Sequence, residues 1–145
     1  MRDLTQVQSP AVLVAAATYA ADNTPVAVDM AGYDGTTVLI HVGAGGITFT
    51  GSNKIEFVLS HGDTATVGSH TPVAAADVVG VTWATGGIVR SLIAAHAAAS
   101  IVEVGYVGTK QFLSVLADFS GTHGTGTPIA VTALRQLPLS APVTT

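Results

Sequence analysis

Cysteine is absent from the 145 residues, which excludes disulfides, thiolate metal sites and a cysteine nucleophile. Charge is almost as scarce. Only 10% of residues are charged, against about 25% in an average globular chain. The five cations, Arg2, Lys54, Arg90, Lys110 and Arg135, stand singly and the net charge is −4. With no basic cluster to neutralise phosphates, direct binding of nucleic acid is not expected. Aromatics make up 6%, too few for a base- or sugar-stacking platform. No apolar run reaches the ~18 residues of a membrane-spanning helix, and Met1 to Gln6 has no signal-peptide apolar core. These features lead us to expect a soluble protein made in the cytoplasm of its cell, with no membrane partner.

What is present is a chain 48% hydrophobic, long enough for one domain with a real core. With so few charges, its water-facing positions fall to Thr, Ser, Ala, Gly and Asn, or lie under neighbouring subunits. Gly and Thr punctuate apolar β-branched runs at short intervals, which predicts an all-β protein, a single β-sandwich of jelly-roll or immunoglobulin-like topology. The first ten residues read as an N-terminal arm ending at Pro10. Ala11 to Tyr19 is an apolar run compatible with helix or strand. Strands are expected over Thr24–Met30, Thr37–Val42, Ile47–Thr50, Lys54–Ser60, Val78–Trp83, Gly87–Ile93, Ile101–Val107, Gln111–Phe119 and Pro128–Leu137. A further short strand near Thr64 to Val67 would lie in the polar loop His61 to Asp77. Ala94 to Ala99 is either one or two turns of helix or a plain connection. Pro138 to Thr145, with two prolines and no periodicity, reads as an extended tail.

Alternation assigns faces within these strands. Ile55, Phe57 and Leu59 share one side of their strand, and Val102, Val104 and Tyr106 share one side of theirs. Gly105 and Gly108 mark places where the backbone turns or is closely approached.

The sequence carries no recognisable catalytic motif. The histidines His41, His61, His70, His96 and His123 form no His-x3-His or His-Glu-x-x-His pattern. His61, Asp63 and His70 share one loop, the only stretch dense enough to consider for a metal, and read best as an ordinary polar loop. No Gly-x-Ser-x-Gly elbow is present. Gly43-Ala44-Gly45-Gly46 lacks the Gly-Lys-Ser/Thr of a phosphate loop and reads as a turn between strands. The acids are scattered, with no pair suited to glycoside hydrolysis or a calcium loop. We therefore expect neither catalytic residues, nor cofactor, nor resident metal.

Several segments together resemble small virion proteins from the head-gene modules of tailed bacteriophages. They are Met1–Leu4 with Pro10–Leu13, Val26-Ala27-Val28-Asp29-Met30-Ala31-Gly32-Tyr33, Ile55–Asp63, Ala75–Gly80 and Leu134–Pro142. The most recognisable is Val104-Gly105-Tyr106-Val107-Gly108-Thr109-Lys110-Gln111-Phe112-Leu113, which is similar to a Gly-Tyr-x-Gly-x-Lys-Arg segment of that family. It departs from the family where Gln111 and Leu113 replace arginines, so any partner contact those arginines make is in doubt here. The resemblance implies a non-enzymatic capsid decoration or cement protein on the exterior of the virion. It implies the major capsid protein as partner and a homo-oligomer, with a trimer favoured. The residues expected to touch partners are Met1, Arg2, Asp3 and Leu4 in the arm, Lys110 and Gln111 in the shared segment, and Pro138, Leu139 and Pro142 in the tail. A head–tail connector or tail component is the alternative, and a displayed host-surface or carbohydrate-binding module a more distant one.

Overall fold

A computed structural model describes residues 4–140 apart from Ala97. Among the described residues, ten strands form two antiparallel sheets: β1 (Gln8–Tyr19), β2 (Val28–Asp29), β3 (Tyr33–Val42), β4 (Lys54–Gly62), β5 (Thr71–Pro72), β6 (Val78–Val79), β7 (Ile88–Leu92), β8 (Ser100–Tyr106), β9 (Phe112–Ser120) and β10 (Thr127–Pro138). The expected all-β sandwich is what the chain adopts.

One sheet runs β1-β10-β3-β8-β6, and the other runs β2-β9-β4, with β5 and β7 sharing the far edge of β4. β2, β5 and β6 have two residues each; with β5 and β6 set aside, the orders are β1-β10-β3-β8 and β2-β9-β4-β7. Successive strands of that set change sheet, except at the β4–β7 hairpin. This winding is a jelly roll, and it settles the topology left open by the sequence. An immunoglobulin-like sandwich would keep its first two strands adjacent in one sheet, whereas β1 and β2 lie in different sheets.

Period-two burial explains why these segments pair as they do. In β3, Val38, Ile40 and Val42 point inward; in β4, Ile55, Phe57 and Leu59; in β10, Ile129, Val131 and Ala133. These side chains interdigitate between the sheets with Leu13, Val104, Leu113 and Val115 in a single core. Fully burying one Val, Leu, Ile or Phe contributes ~1.5–3 kcal/mol, so the two inner faces supply the main driving force.

Several expectations are corrected. Gln8, Ser9 and Pro10 are not arm but the start of β1, paired to Gln136, Arg135 and Leu134. The ambiguous run Ala11–Tyr19 is strand, because β10 offers it a partner along most of its length. Ile47–Thr50 is not a strand, although Phe49 is buried. The expected strands Thr24–Met30 and Val78–Trp83 shrink to β2 and β6, since their flanks find no neighbouring strand. Thr64–Val67 forms no strand; a 3-10 turn follows at Val67–Ser69. Among the described residues of Ala94–Ala99 there is no helix. Pro138 belongs to β10, opposite Tyr33, rather than to a loose tail.

Candidate functional site

Antiparallel pairing fixes what gathers at each end of the sandwich. Gln8 lies opposite Gln136, which lies opposite Gly35; Thr36 lies opposite Tyr106, and Gly62 opposite Phe112. The start of β1, the end of β10, the β2–β3 turn and the β8–β9 connection therefore share one end. Here the strand ends surround a groove of about 650 Å³ whose walls include Tyr33, Thr36, Tyr106 and Lys110.

The turn into β3 is built locally. Asp29 Oδ1 accepts the Ala31 N–H at 2.8 Å, the Tyr33 N–H donates to Met30 O at 3.2 Å, and Gly32 takes a φ of 87°. That backbone angle is one that glycine adopts without steric penalty. Across the groove, the β8–β9 connection folds over the Tyr106 ring. A Cβ on Gly108 would stand 2.6 Å from the Tyr106 hydroxyl oxygen, and one on Gly105 would stand 2.6 Å from a Val79 methyl. Both glycines are sites of close approach, as the sequence indicates.

Tyr106 is the knot of this end. Its hydroxyl accepts the Lys110 N–H at 3.1 Å and shares a hydrogen bond with His61 Nδ1 at 2.9 Å. His61 Nε2 lies 3.9 Å from Asp77 Oδ2, and that carboxylate oxygen accepts the Ala74 N–H at 2.8 Å. The Val107 N–H donates to Asp77 O at 2.8 Å. Burial pushes the Tyr106 hydroxyl above its usual range, so it remains protonated. An activated nucleophile requires the opposite shift. The His61–Tyr106 hydrogen bond, the Lys110 N–H on the Tyr106 hydroxyl and the Val107 N–H on Asp77 O thus tie β4, the segment before β6 and the β8–β9 connection together as a latch.

Of the expected contact residues, Leu4, Lys110, Gln111, Pro138 and Leu139 are described, and they lie at this end. Lys110 Nζ reaches Asp63 Oδ2 at 2.6 Å on the surface, and Gln111 Nε2 donates to Asp29 Oδ1 at 3.0 Å while its carbonyl accepts the Met30 N–H. Pro138 closes β10 against Tyr33, and the Leu139 N–H donates to Gly32 O at 2.9 Å. Leu4 precedes β1 through a 3-10 turn, Thr5–Val7, whose Val7 N–H donates to Leu4 O. Met1, Arg2, Asp3 and Pro142 lie outside the described residues.

Other groups reinforce this end. The Arg135 guanidinium donates to Ser9 Oγ at 2.7 Å and to Asp29 O at 3.1 Å, and sits 4.9 Å from the centre of the Tyr33 ring. Leu137 is the one non-glycine among the described residues with a positive φ, at 53°, an arrangement that costs about 1–2 kcal/mol. Leu4, Val7, Val107, Leu137 and Leu139 are half of the large apolar side chains most exposed among the described residues.

The structure separates the sequence-neighbouring His61, Asp63 and His70. His61 turns inward to Tyr106, whereas His70 covers Gly62 and hydrogen-bonds Ser114 Oγ and Thr64 O through its two ring nitrogens. No three metal-ligating side chains come together among the described residues. Sequence reasoning missed the partnership of His61 with Tyr106, although its signal was present. His61 continues the inward series Ile55, Phe57, Leu59, and Tyr106 ends the inward series Val102, Val104.

Comparison with protein-family models, curated proteins and solved structures finds no match. The functional reading rests on the geometry of this end and on the sequence resemblance.

Proposed function

We propose that this chain is a non-enzymatic capsid decoration protein of a tailed phage, binding the outer shell through the end where β1 starts and β10 finishes. The observation that carries the reading is the gathering, at that one end, of the start of β1, the end of β10 and five exposed apolar side chains. An end of a small protein that leaves several large apolar side chains in water is a natural place for a partner to bind. Leu137, held in a left-handed conformation and exposed, adds an apolar side chain whose backbone strain is otherwise unrewarded.

The rest of the molecule suits the role. A jelly roll with a continuous core is a rigid body, and the Tyr106 latch fixes the loops that would meet a partner. A protein that binds only the intact lattice stabilises it by mass action, without chemistry. In this reading the partner is the major capsid protein, the location is the virion exterior, and Lys110 and Gln111 flank the contact. The working unit is a homo-oligomer.

Co-sedimentation of the purified protein with capsids lacking it, followed by a copy count, tests this. Hundreds of copies per particle and a raised capsid melting temperature are the expected outcome. A dozen copies or fewer would transfer the protein to the head–tail connector or tail, and no binding would remove the capsid reading altogether.

A further inference from the structure

The two outer faces of the sandwich differ in charge. On one sheet the outward positions of β4 and β9 carry Lys54, Glu56 and Asp118, with Glu56 opposite Asp118. On the other, His41 aside, the outward positions of β3, β8 and β10 carry one ionisable side chain, Glu103. A sheet face that meets only water is ordinarily polar. This one instead leaves Ile101 60% and Val12 59% exposed.

Register lays the face out in rows. Val12, Thr132, Leu39 and Glu103 stand side by side across β1, β10, β3 and β8, and the next row holds Ala130, His41 and Ile101. Ile101 projects from β8 at one margin. Toward the opposite margin, level with that row, Ala16, Thr18, His41, Pro128 and Ala130 line a shallow hollow of about 330 Å³. β1 runs past it as Ala15-Ala16-Ala17, whose side chains are too short to fill it.

A knob and a hollow at opposite margins of one row make the face complementary to itself. A twofold axis along the strands keeps each row level and sets β8 of one copy over β1 of the other. Each Ile101 then meets the other copy's hollow, and Leu39 meets Thr132. Glu103, on the β8 margin, stays in water at the rim. Stacked sheets of equal twist keep their strands within about 30° of each other, a condition that a second copy meets by identity. The area also suffices. Four strands ~4.8 Å apart, over the ten residues of β3, present ~650 Å². Two copies would bury ~1,300 Å², inside the range of specific interfaces.

We propose that the outer face of β1-β10-β3-β8 packs against the same face of a second copy, each Ile101 seated in the other's hollow. The contact is isologous, so it closes as a dimer. It uses the side of the sandwich rather than the end on which the capsid reading rests, and it stands or falls without that reading.

The absence of cysteine makes the test clean. Within one chain, positions 16 and 101 lie three strand spacings apart, ~14 Å, too far for a disulfide. A 16–101 link therefore joins two copies. The variant Ala16→Cys/Ile101→Cys is oxidised at micromolar concentration, run on a non-reducing gel and mapped by mass spectrometry. Covalent dimers linked through those two positions are expected, in excess of the control Ser91→Cys/Ile101→Cys, whose first site is exposed on β7. No 16–101 link above the control would overturn the proposal. Sedimentation of the full chain then reads the contact without cysteine. Ile101→Glu and Ala16→Trp alter exposed positions, so both should keep the wild-type melting temperature while weakening the dimer roughly tenfold or more. Val58→Glu, on the outer face of the other sheet, should leave it unchanged. A monomeric wild type, or a dimer indifferent to both variants, also overturns the inference. A monomer whose capsid binding is lost in Ile101→Glu would overturn it too, by assigning this face to the shell.

Discussion

The side-chain oxygen of Asn23 accepts the backbone N–H of Ala117 at 2.7 Å, while its amide donates to Val115 O at 3.1 Å. Asn23 is buried and precedes β2, and it stands where β9 has run out of strand neighbours on that side. Asp22 does the same one step along, its Oδ1 accepting the Phe119 N–H at 2.7 Å. Two side chains thus substitute for a strand along the edge of β9, closing it against unwanted pairing. We expect Asn23→Ala to leave a backbone donor and acceptor unpaired in the interior, at ~1–3 kcal/mol for each group stranded without water. Chemical denaturation should show the loss, and the Ala117 amide should exchange markedly faster.

Gly108 tests the latch. A methyl group there meets the Tyr106 hydroxyl at 2.6 Å, and the ring cannot retreat without giving up its bonds to His61 and Lys110. We expect Gly108→Ala to destabilise the fold by about 1–3 kcal/mol. A Gly51→Ala control, where nothing lies within 4 Å, should change stability little. Equal melting temperatures for the two variants would refute the account of Tyr106 as a packed knot.

Tyr106 also sets an alkaline limit. Burial is the first cause of its raised pKa; the Lys110 N–H pulls the other way, and the charges of Asp77 and Asp63 add smaller upward pushes. A group whose folded pKa lies above its unfolded value stabilises the fold fully below the unfolded pKa. That contribution is lost as pH rises from ~10 through the folded value. The wild type should therefore lose stability above pH ~10, and Tyr106→Phe should lose less across the same range while starting from a lower plateau. Denaturation midpoints measured from neutral to alkaline pH decide the point.

Lys110 separates stability from binding. Its ion pair with Asp63 is solvent-exposed on both sides, and such pairs contribute ~0.2–1 kcal/mol. Lys110→Ala should therefore melt within a few degrees of wild type. If the end where β1 starts and β10 finishes docks on a capsid, the same variant should bind capsids more weakly than a Lys54→Ala control, whose pair with Glu56 lies elsewhere on β4. Identical capsid binding by the two variants would remove Lys110 from the contact.

Gly87 probes the insertion between β4 and β7. It has a φ of 76°, its carbonyl accepts the Leu59 N–H, and a Cβ would lie 2.7 Å from Leu59 O. Strain and collision act together, because Leu59 O and Val73 N are backbone and the third close atom, Pro72 Cβ, belongs to a rigid ring. Gly87→Ala should cost more than Gly108→Ala, on the order of 2–4 kcal/mol, read by thermal melting of the two variants in parallel.

The sequence by itself determined the class of fold and the inner faces of its strands. Alternation such as Ile55, Phe57, Leu59 is local information, because a strand with one buried face must repeat every second residue. It also marked Gly105 and Gly108 as sites of close approach and brought attention to Lys110, Gln111, Pro138 and Leu139. Only the tertiary structure decided whether a run became a strand. Ala11–Tyr19 became β1 because β10 lies beside it, while the β-like Ile47–Thr50 found no neighbour. Pairing between residues far apart in sequence depends on topology, which local pattern does not encode. The same reason hid the candidate site: Leu4, Lys110 and Leu139 share one end only because antiparallel register carries the start of β1, the end of β8 and the end of β10 to the same place.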